Sequence, residues 1–120
     1  MKIYIAHSTK YNFKEDLYAP IRNSELNSNY DFILPHENSD GQFNSKDLFE
    51  TGCDLLIAEV SLPSIGMGIE LGWANMKNIP IICFYKKGSQ VSGSLKAVTD
   101  KIIEYSDEKD LVEKLSKELI

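Results

Sequence analysis

The sequence predicts a single-domain, three-layer α/β/α fold around a five-stranded, mainly parallel, doubly wound sheet of the flavodoxin or Rossmann kind. Three observations carry this. Strand and helix signals alternate from one end of the chain to the other. Two nearly continuous apolar runs, DLLIAEV (54–60) and PIICFY (80–85), suit strands covered on both faces. The length, 120 residues, is that of one domain.

Residues 2–6 (KIYIA) are apolar and rich in β-branched side chains, a first strand. Leu17, Tyr18, Ile21 and Leu26 mark a helical stripe over 12–28, and Pro20 inside it either kinks the helix or begins it. Residues 31–35 (DFILP) form a second strand. The polar run 36–45 is a loop, and Asn44 or Ser45 caps a short helix over 46–52. Strand 54–60 follows, then the loop SLPSIGMG and a helix over 67–77. Strand 80–85 leads into the loop KKGSQVSG, with Ser94 in position to cap one helical turn. A last strand over 101–105 precedes a helix over 107–119, where Leu111, Leu115 and Leu119 recur at helical spacing. Crossovers in such a sheet are right-handed, and ligands bind beyond the carboxyl ends of the strands. The candidate loops are therefore those after residues 6, 35, 60 and 85.

Composition excludes several classes. At 42% hydrophobic and 26% charged the chain is neither disordered nor, lacking a long apolar run, membrane-spanning. The opening MKIYIAHSTK has an apolar stretch too short for a signal peptide. Cys53 and Cys83 each lie inside apolar segments and read as buried thiols, so a cytoplasmic protein is expected. A net charge of −5 argues against polynucleotide binding, leaving room for a small anion held by local donors. No His, Cys, Asp and Glu cluster has metal-ligand spacing, and no cofactor is expected.

The chemistry concentrates after the third strand, in Ser61-Leu62-Pro63-Ser64-Ile65-Gly66-Met67-Gly68-Ile69-Glu70-Leu71-Gly72. Gly66 and Gly68 stand at a helix entrance, where free N–H groups and the positive end of the dipole suit a phosphate. The spacing GxGxxxG is not the dinucleotide fingerprint and no Walker loop is present, so a flavin or dinucleotide domain is disfavoured. The same glycines also fit a tight turn with close helix–sheet packing. Glu70, one turn into that helix among small neighbours, is either a half-buried functional carboxylate or a solvent-facing acid that favours the dipole. His36 follows the second strand at the ligand edge, a candidate contact for a base or phosphate. His7 follows the first strand, where its imidazole can stand in for a loop N–H. Glu59 either sets the ionisation of Glu70 or bonds N–H groups of the loop. Trp73 and Tyr85 fit base stacking or core packing.

Residues 54–74, DLLIAEVSLPSIGMGIELGWA, resemble the signature of the nucleoside 2-deoxyribosyltransferase superfamily, and within it the 2′-deoxynucleoside 5′-phosphate N-hydrolase branch. The similarity continues through PIICFYKKGSQVSGSL (80–95) and includes a tyrosine in the first strand, at Tyr4. It implies that Glu70 is a nucleophile attacking C1′ of a 2-deoxyribosyl group, with Tyr4 orienting it. It further implies that Ser8 and Ser64 hold a 5′-phosphate, and that Ser94 does so across a homodimer interface, completing the partner's site. Lys10 stands near the branch's loop arginine. The branch's Gly-Ser-x-Arg-Gly-Gly loop is replaced here by His7-Ser8-Thr9-Lys10-Tyr11-Asn12, without the closing glycines. The family also places an aspartate eight residues before the one that opens the third strand. Here that position holds Lys46, and Asp47 beside it either takes the role or serves as a helix N-terminal acid.

The expected activity is hydrolysis of the N-glycosidic bond of a 2′-deoxynucleoside 5′-monophosphate, a small-molecule partner. The alternatives are transfer of the sugar to a second base, and a nucleotide-binding or sensing module without turnover.

Overall fold

The computed structural model describes residues 1–39 and 41–119. Five parallel strands run β1 (Lys2–His7), β2 (Asp31–Ile33), β3 (Leu55–Glu59), β4 (Ile81–Lys86) and β5 (Ile102–Tyr105). Their spatial order is β2-β1-β3-β4-β5. The chain thus leaves β1 toward one edge of the sheet and returns to its other side for β3. This reversal makes the carboxyl ends of β1 and β3 the topological switch point.

Strand side chains alternate between two cores. Ile3, Ile5, Leu55, Ile57, Ile82 and Phe84 face one layer, where they meet Leu17, Tyr18, Ile21, Leu111 and Leu115. Tyr4, Ala6, Leu56, Ala58, Ile81 and Cys83 face the other, where they meet Phe49, Met67, Leu71 and Ala74. The register aligns Tyr4 with Leu56 and Ala6 with Ala58. Each fully buried Leu, Ile or Phe contributes about 1.5–3 kcal/mol. An exposed ion pair such as Arg22–Glu37, at 2.8 Å, is worth less than about 1 kcal/mol. The two apolar layers therefore hold the fold.

The helices refine the sequence reading. The expected helix over 12–28 is a π-helical turn (Lys14–Tyr18) continuing into α1 (Ala19–Arg22), followed by a separate α2 (Leu26–Asn29). Pro20 lacks the N–H that would bond the Asp16 carbonyl, and the Ala19 N–H reaches back to Lys14 instead. Asn44 caps α3 (Ser45–Thr51), accepting from the Asp47 N–H at 3.2 Å. Ser64 caps α4 (Ile65–Met76), which begins two residues before its expected start. The short 3₁₀ turn Gly93–Ala97 is capped by Ser92 and not by Ser94, whose own N–H donates to the Ser92 hydroxyl. The closing α5 (Glu108–Leu119) packs Leu111 and Leu115 into the first core. Among the described residues no helix is long and apolar enough to cross a membrane.

Candidate functional site

Strand alternation turns Tyr4 of β1 toward α3 and α4. Its ring is 1% exposed, stacked on Phe43 at 5.7 Å and met edge-on by Phe49 at 5.4 Å. Pinned this way, its hydroxyl donates to Oε2 of Glu70 at 2.5 Å. Glu70 reaches this point from the second turn of α4, whose inner face is fixed by Met67, Leu71 and Ala74. Burial pushes the Glu70 carboxyl above its ordinary range, opposed by the hydrogen bond from Tyr4 and by the nearby Ser45 hydroxyl and His36. Burial, and then the Glu70 charge, push the Tyr4 phenol strongly up, so Tyr4 remains a donor.

The pair sits in the wall of a cavity of about 440 Å³ at the switch point. His7 and Thr9 reach it from the end of β1, Pro35 and His36 from the end of β2, and Ser64 and Gly66 from the start of α4. The loop after β4 is absent from this wall. Lys86 at the end of β4 and Ser89 of that loop border a separate hollow of about 200 Å³ with Tyr11 and Tyr105. Among the described residues no Lys or Arg lines the main cavity, and its basic side chains are those of His7 and His36.

His7 is buried, and that burial drives its pKa down to about 4. The neutral ring donates from Nδ1 to the Ser8 carbonyl at 2.9 Å and accepts from the Tyr18 hydroxyl on Nε2 at 2.6 Å. The Tyr18 oxygen in turn accepts the His36 N–H at 3.0 Å. Tyr18, positioned by the π-helical turn, thereby ties together the loops after β1 and β2. Burial raises its own hydroxyl to about 12.

Of the residues singled out by sequence, Tyr4, Glu70, His36, Ser64 and Gly66 line this one cavity. Gly68 lies on the exposed side of α4. A Cβ at Gly66, Gly68 or Gly72 would meet nothing within 4 Å, so close helix–sheet packing is not what these glycines serve within the chain. Ser8 is buried behind the lining, and its hydroxyl accepts the Lys10 N–H at 3.1 Å. Lys10 is exposed and outside the lining. Asp47 is exposed and bonded to Asn44 Nδ2 at 2.9 Å, also outside the lining. Ser94 is exposed on its 3₁₀ turn, away from the cavity of its own chain. Glu59 adopts the loop-bonding role: it accepts from the Ser61 N–H at 2.7 Å, the Ser61 hydroxyl and the Tyr105 hydroxyl.

Sequence reasoning treated Ser45 only as a possible cap, whereas it is 3% exposed in the cavity wall beside Glu70. Its signal was periodicity, since Ser45 and Phe49 share one helical face. Trp73 lies in the wall and remains 39% exposed. Among the described residues no group of three or more His, Cys, Asp or Glu side chains is arranged to hold a metal ion.

The chain is similar to 2′-deoxynucleoside 5′-phosphate N-hydrolases. A protein of Syntrophotalea carbinolica named "Putative 2'-deoxynucleoside 5'-phosphate N-hydrolase 1" is 54% identical over 37 residues, 31% of this chain and 26% of that protein. A protein of the same name from Thermofilum pendens is 32% identical over 71 residues, 55% of this chain and 50% of that protein. The chain thus spans no more than half the length of these curated relatives. No family model matches. The solved structure of the Clostridium botulinum CMP N-glycosidase BcmB superposes with a TM-score of 0.73, covering 98% of this chain and 99% of that one at 22% identity. The fold is therefore that of this glycosidase, with a parallel sheet between two helical layers.

Proposed function

We propose that the chain hydrolyses the N-glycosidic bond of 2′-deoxynucleoside 5′-monophosphates, with Glu70 as nucleophile. The observation that carries the reading is the Tyr4–Glu70 hydrogen bond in the wall of a cavity that also holds the start of α4. A carboxylate fixed at the wall of a nucleotide-sized cavity can attack C1′ of a bound sugar. The C1′–N bond breaks, the base leaves with the electron pair and takes a proton from water, and a glycosyl ester forms on Glu70. Water then attacks C1′, gives up its proton, and releases deoxyribose 5-phosphate and the free carboxylate. This is the retaining route of glycoside hydrolysis, with an oxocarbenium-like transition state.

The phosphate fits the α4 N-terminus. The Ser64 hydroxyl accepts the Met67 N–H at 3.3 Å and keeps its own proton to donate. The dipole of a twelve-residue helix and the imidazole of His36 add to it. Lys10, next in the chain to the lining residue Thr9, supplies a point charge on a loop braced by Ser8. Ser94 enters from a second copy. In support, α4 carries exposed Ile65 (86%), Ile69, Trp73 and Met76 (82%) at helical spacing, an uncharged apolar face bordering the cavity.

The deciding experiment is base release from a panel of 2′-deoxynucleoside 5′-monophosphates, nucleosides and ribonucleotides, followed by chromatography. Free base from deoxynucleotides with the wild type and none with Glu70→Ala supports the reading. No base from any substrate, with nucleotide still raising the melting temperature, replaces it with a binding module. Base release only when a second free base is added replaces hydrolysis with transfer.

A further inference from the structure

We propose that Tyr18 is a positioning residue of this site: its hydroxyl donates to His7 and accepts from the backbone of His36, closing His7 to the ligand and setting His36 as the imidazole that meets it. The inference rests on the proposed reading of the cavity as a nucleotide site and adds to it a residue outside the cavity wall.

Two histidines line the cavity, His7 from the end of β1 and His36 from the loop after β2. Their hydrogen bonds divide their work. Nδ1 of His7 lies 2.9 Å from the Ser8 carbonyl, which only accepts, so that nitrogen carries the proton. Burial keeps the ring neutral, and Nε2 is then an acceptor. The Tyr18 hydroxyl, 2.6 Å away, gives its one proton to Nε2. Its oxygen is left to accept, and it takes the His36 N–H at 3.0 Å. Each proton in the chain from His36 through Tyr18 to His7 is used once. Both ring nitrogens of His7 are spent within the protein, so His7 offers a ligand only the carbon edge of its ring. The His36 ring makes no hydrogen bond among the described residues, and its nitrogens are available to a ligand.

Tyr18 ends the π-helical turn, is 4% exposed and lies outside the lining. Phe13 packs against all three rings, 4.5 Å from His7, 5.1 Å from Tyr18 and 5.9 Å from His36 between centroids. Loss of the Tyr18 hydroxyl therefore leaves the aromatic cluster in place. Arg22, from the same helical stretch, holds Glu37 through two contacts of 2.8 Å on the solvent side. Tyr18 thus fixes the loop after β2 toward the cavity, and Arg22 fixes it toward water. His7 stands where the loop of the resembling branch begins with glycine, and a glycine there has no ring for Tyr18 to hold. The device belongs to this chain's own residues.

The test is NMR of ligand-free, ¹⁵N-labelled protein at neutral pH. The chain has only two histidines, and the His36 ring signals are assigned by their loss in His36→Gln. The wild type is expected to show His7 protonated on Nδ1 alone. In Tyr18→Phe, which keeps the ring, the His7 Nε2 resonance is expected to move downfield as its donor is lost. The His36 amide is expected to exchange with solvent about tenfold faster. In the base-release assay KM for a deoxynucleoside 5′-monophosphate is expected to rise about tenfold, with kcat changed less than about twofold and KM for the deoxynucleoside little moved. A wild-type His7 protonated on Nε2, or on both nitrogens, overturns the proposal without any variant. A folded Tyr18→Phe protein in which the His36 amide or the nucleotide KM is unmoved overturns it too. An inactive wild type would refute hydrolysis; calorimetric affinity for the same nucleotide then takes the place of KM, and the NMR readings need no turnover.

Discussion

The Tyr4 phenol and the Glu70 carboxylate meet at 2.5 Å although 66 positions separate them in the chain. One comes from the inner strand β1 and the other from α4, and their contact lies where the strand order reverses. A phenol whose pKa is driven up can only donate, and a carboxylate held by it keeps one orientation. That pairing organises the expectations below.

Tyr4→Phe removes the donor and leaves the ring packing against Phe43 and Phe49 intact. A hydrogen bond to a charged group is worth about 1.5–3 kcal/mol. Base release is therefore expected to fall about 10- to 100-fold in kcat/KM, with the acid limb of the pH profile moving to higher pH. The check is a pH–rate series on both proteins, with chemical denaturation to show that the fold is retained.

Glu70 should cost stability where it is charged. Its folded pKa lies above the unfolded value, so the folded state binds the proton more tightly. That stabilisation is complete below the unfolded pKa and is lost as pH rises through the folded one. Glu70→Gln, uncharged and nearly isosteric, should melt higher than the wild type at neutral pH. The gap should close as pH falls through the carboxylate range. Melting temperatures of the two proteins across that range decide it, and an equal gap at every pH would remove burial as the cause.

The apolar face of α4 should associate. Ile65→Asp places a charge on a side chain that is 86% exposed in the isolated chain, so the monomer should tolerate it. It is expected to shift the protein from dimer to monomer in light scattering at micromolar concentration. Ser94→Ala is expected to weaken binding of deoxynucleotides more than of deoxynucleosides. If the wild type is already a monomer, the cross-subunit role of Ser94 is removed.

Much of this was legible in the chain. The runs 54–60 and 80–85 announced buried parallel strands, and period-two alternation put Tyr4 and Ala6 on one face and Ile3 and Ile5 on the other. The helix after the third strand was legible as an element, with Glu70 in it, while the direction of that carboxylate stayed open. Local rules of this kind act over a few residues and survive into the fold. Pro20 marked this helix as irregular as well, although the π-helical turn ahead of it was not visible.

Tertiary structure decided what depends on distant neighbours. Asn44 and Ser45 were equivalent caps in sequence; packing of Phe49 against Tyr4 turned Ser45 inward and left the cap to Asn44. Asp47 and Glu70 were both acids near helix starts, and only the path of α3 and α4 over the sheet sent one to solvent and the other to Tyr4. The depressed pKa of His7 likewise needed the walls that bury it. Sequence determined the elements and their apolar faces, because propensity and periodicity are local. The site itself, with its hydrogen bonds and shifted carboxyl, came from bringing β1, α3 and α4 together, because solvation and proximity are properties of the packed molecule.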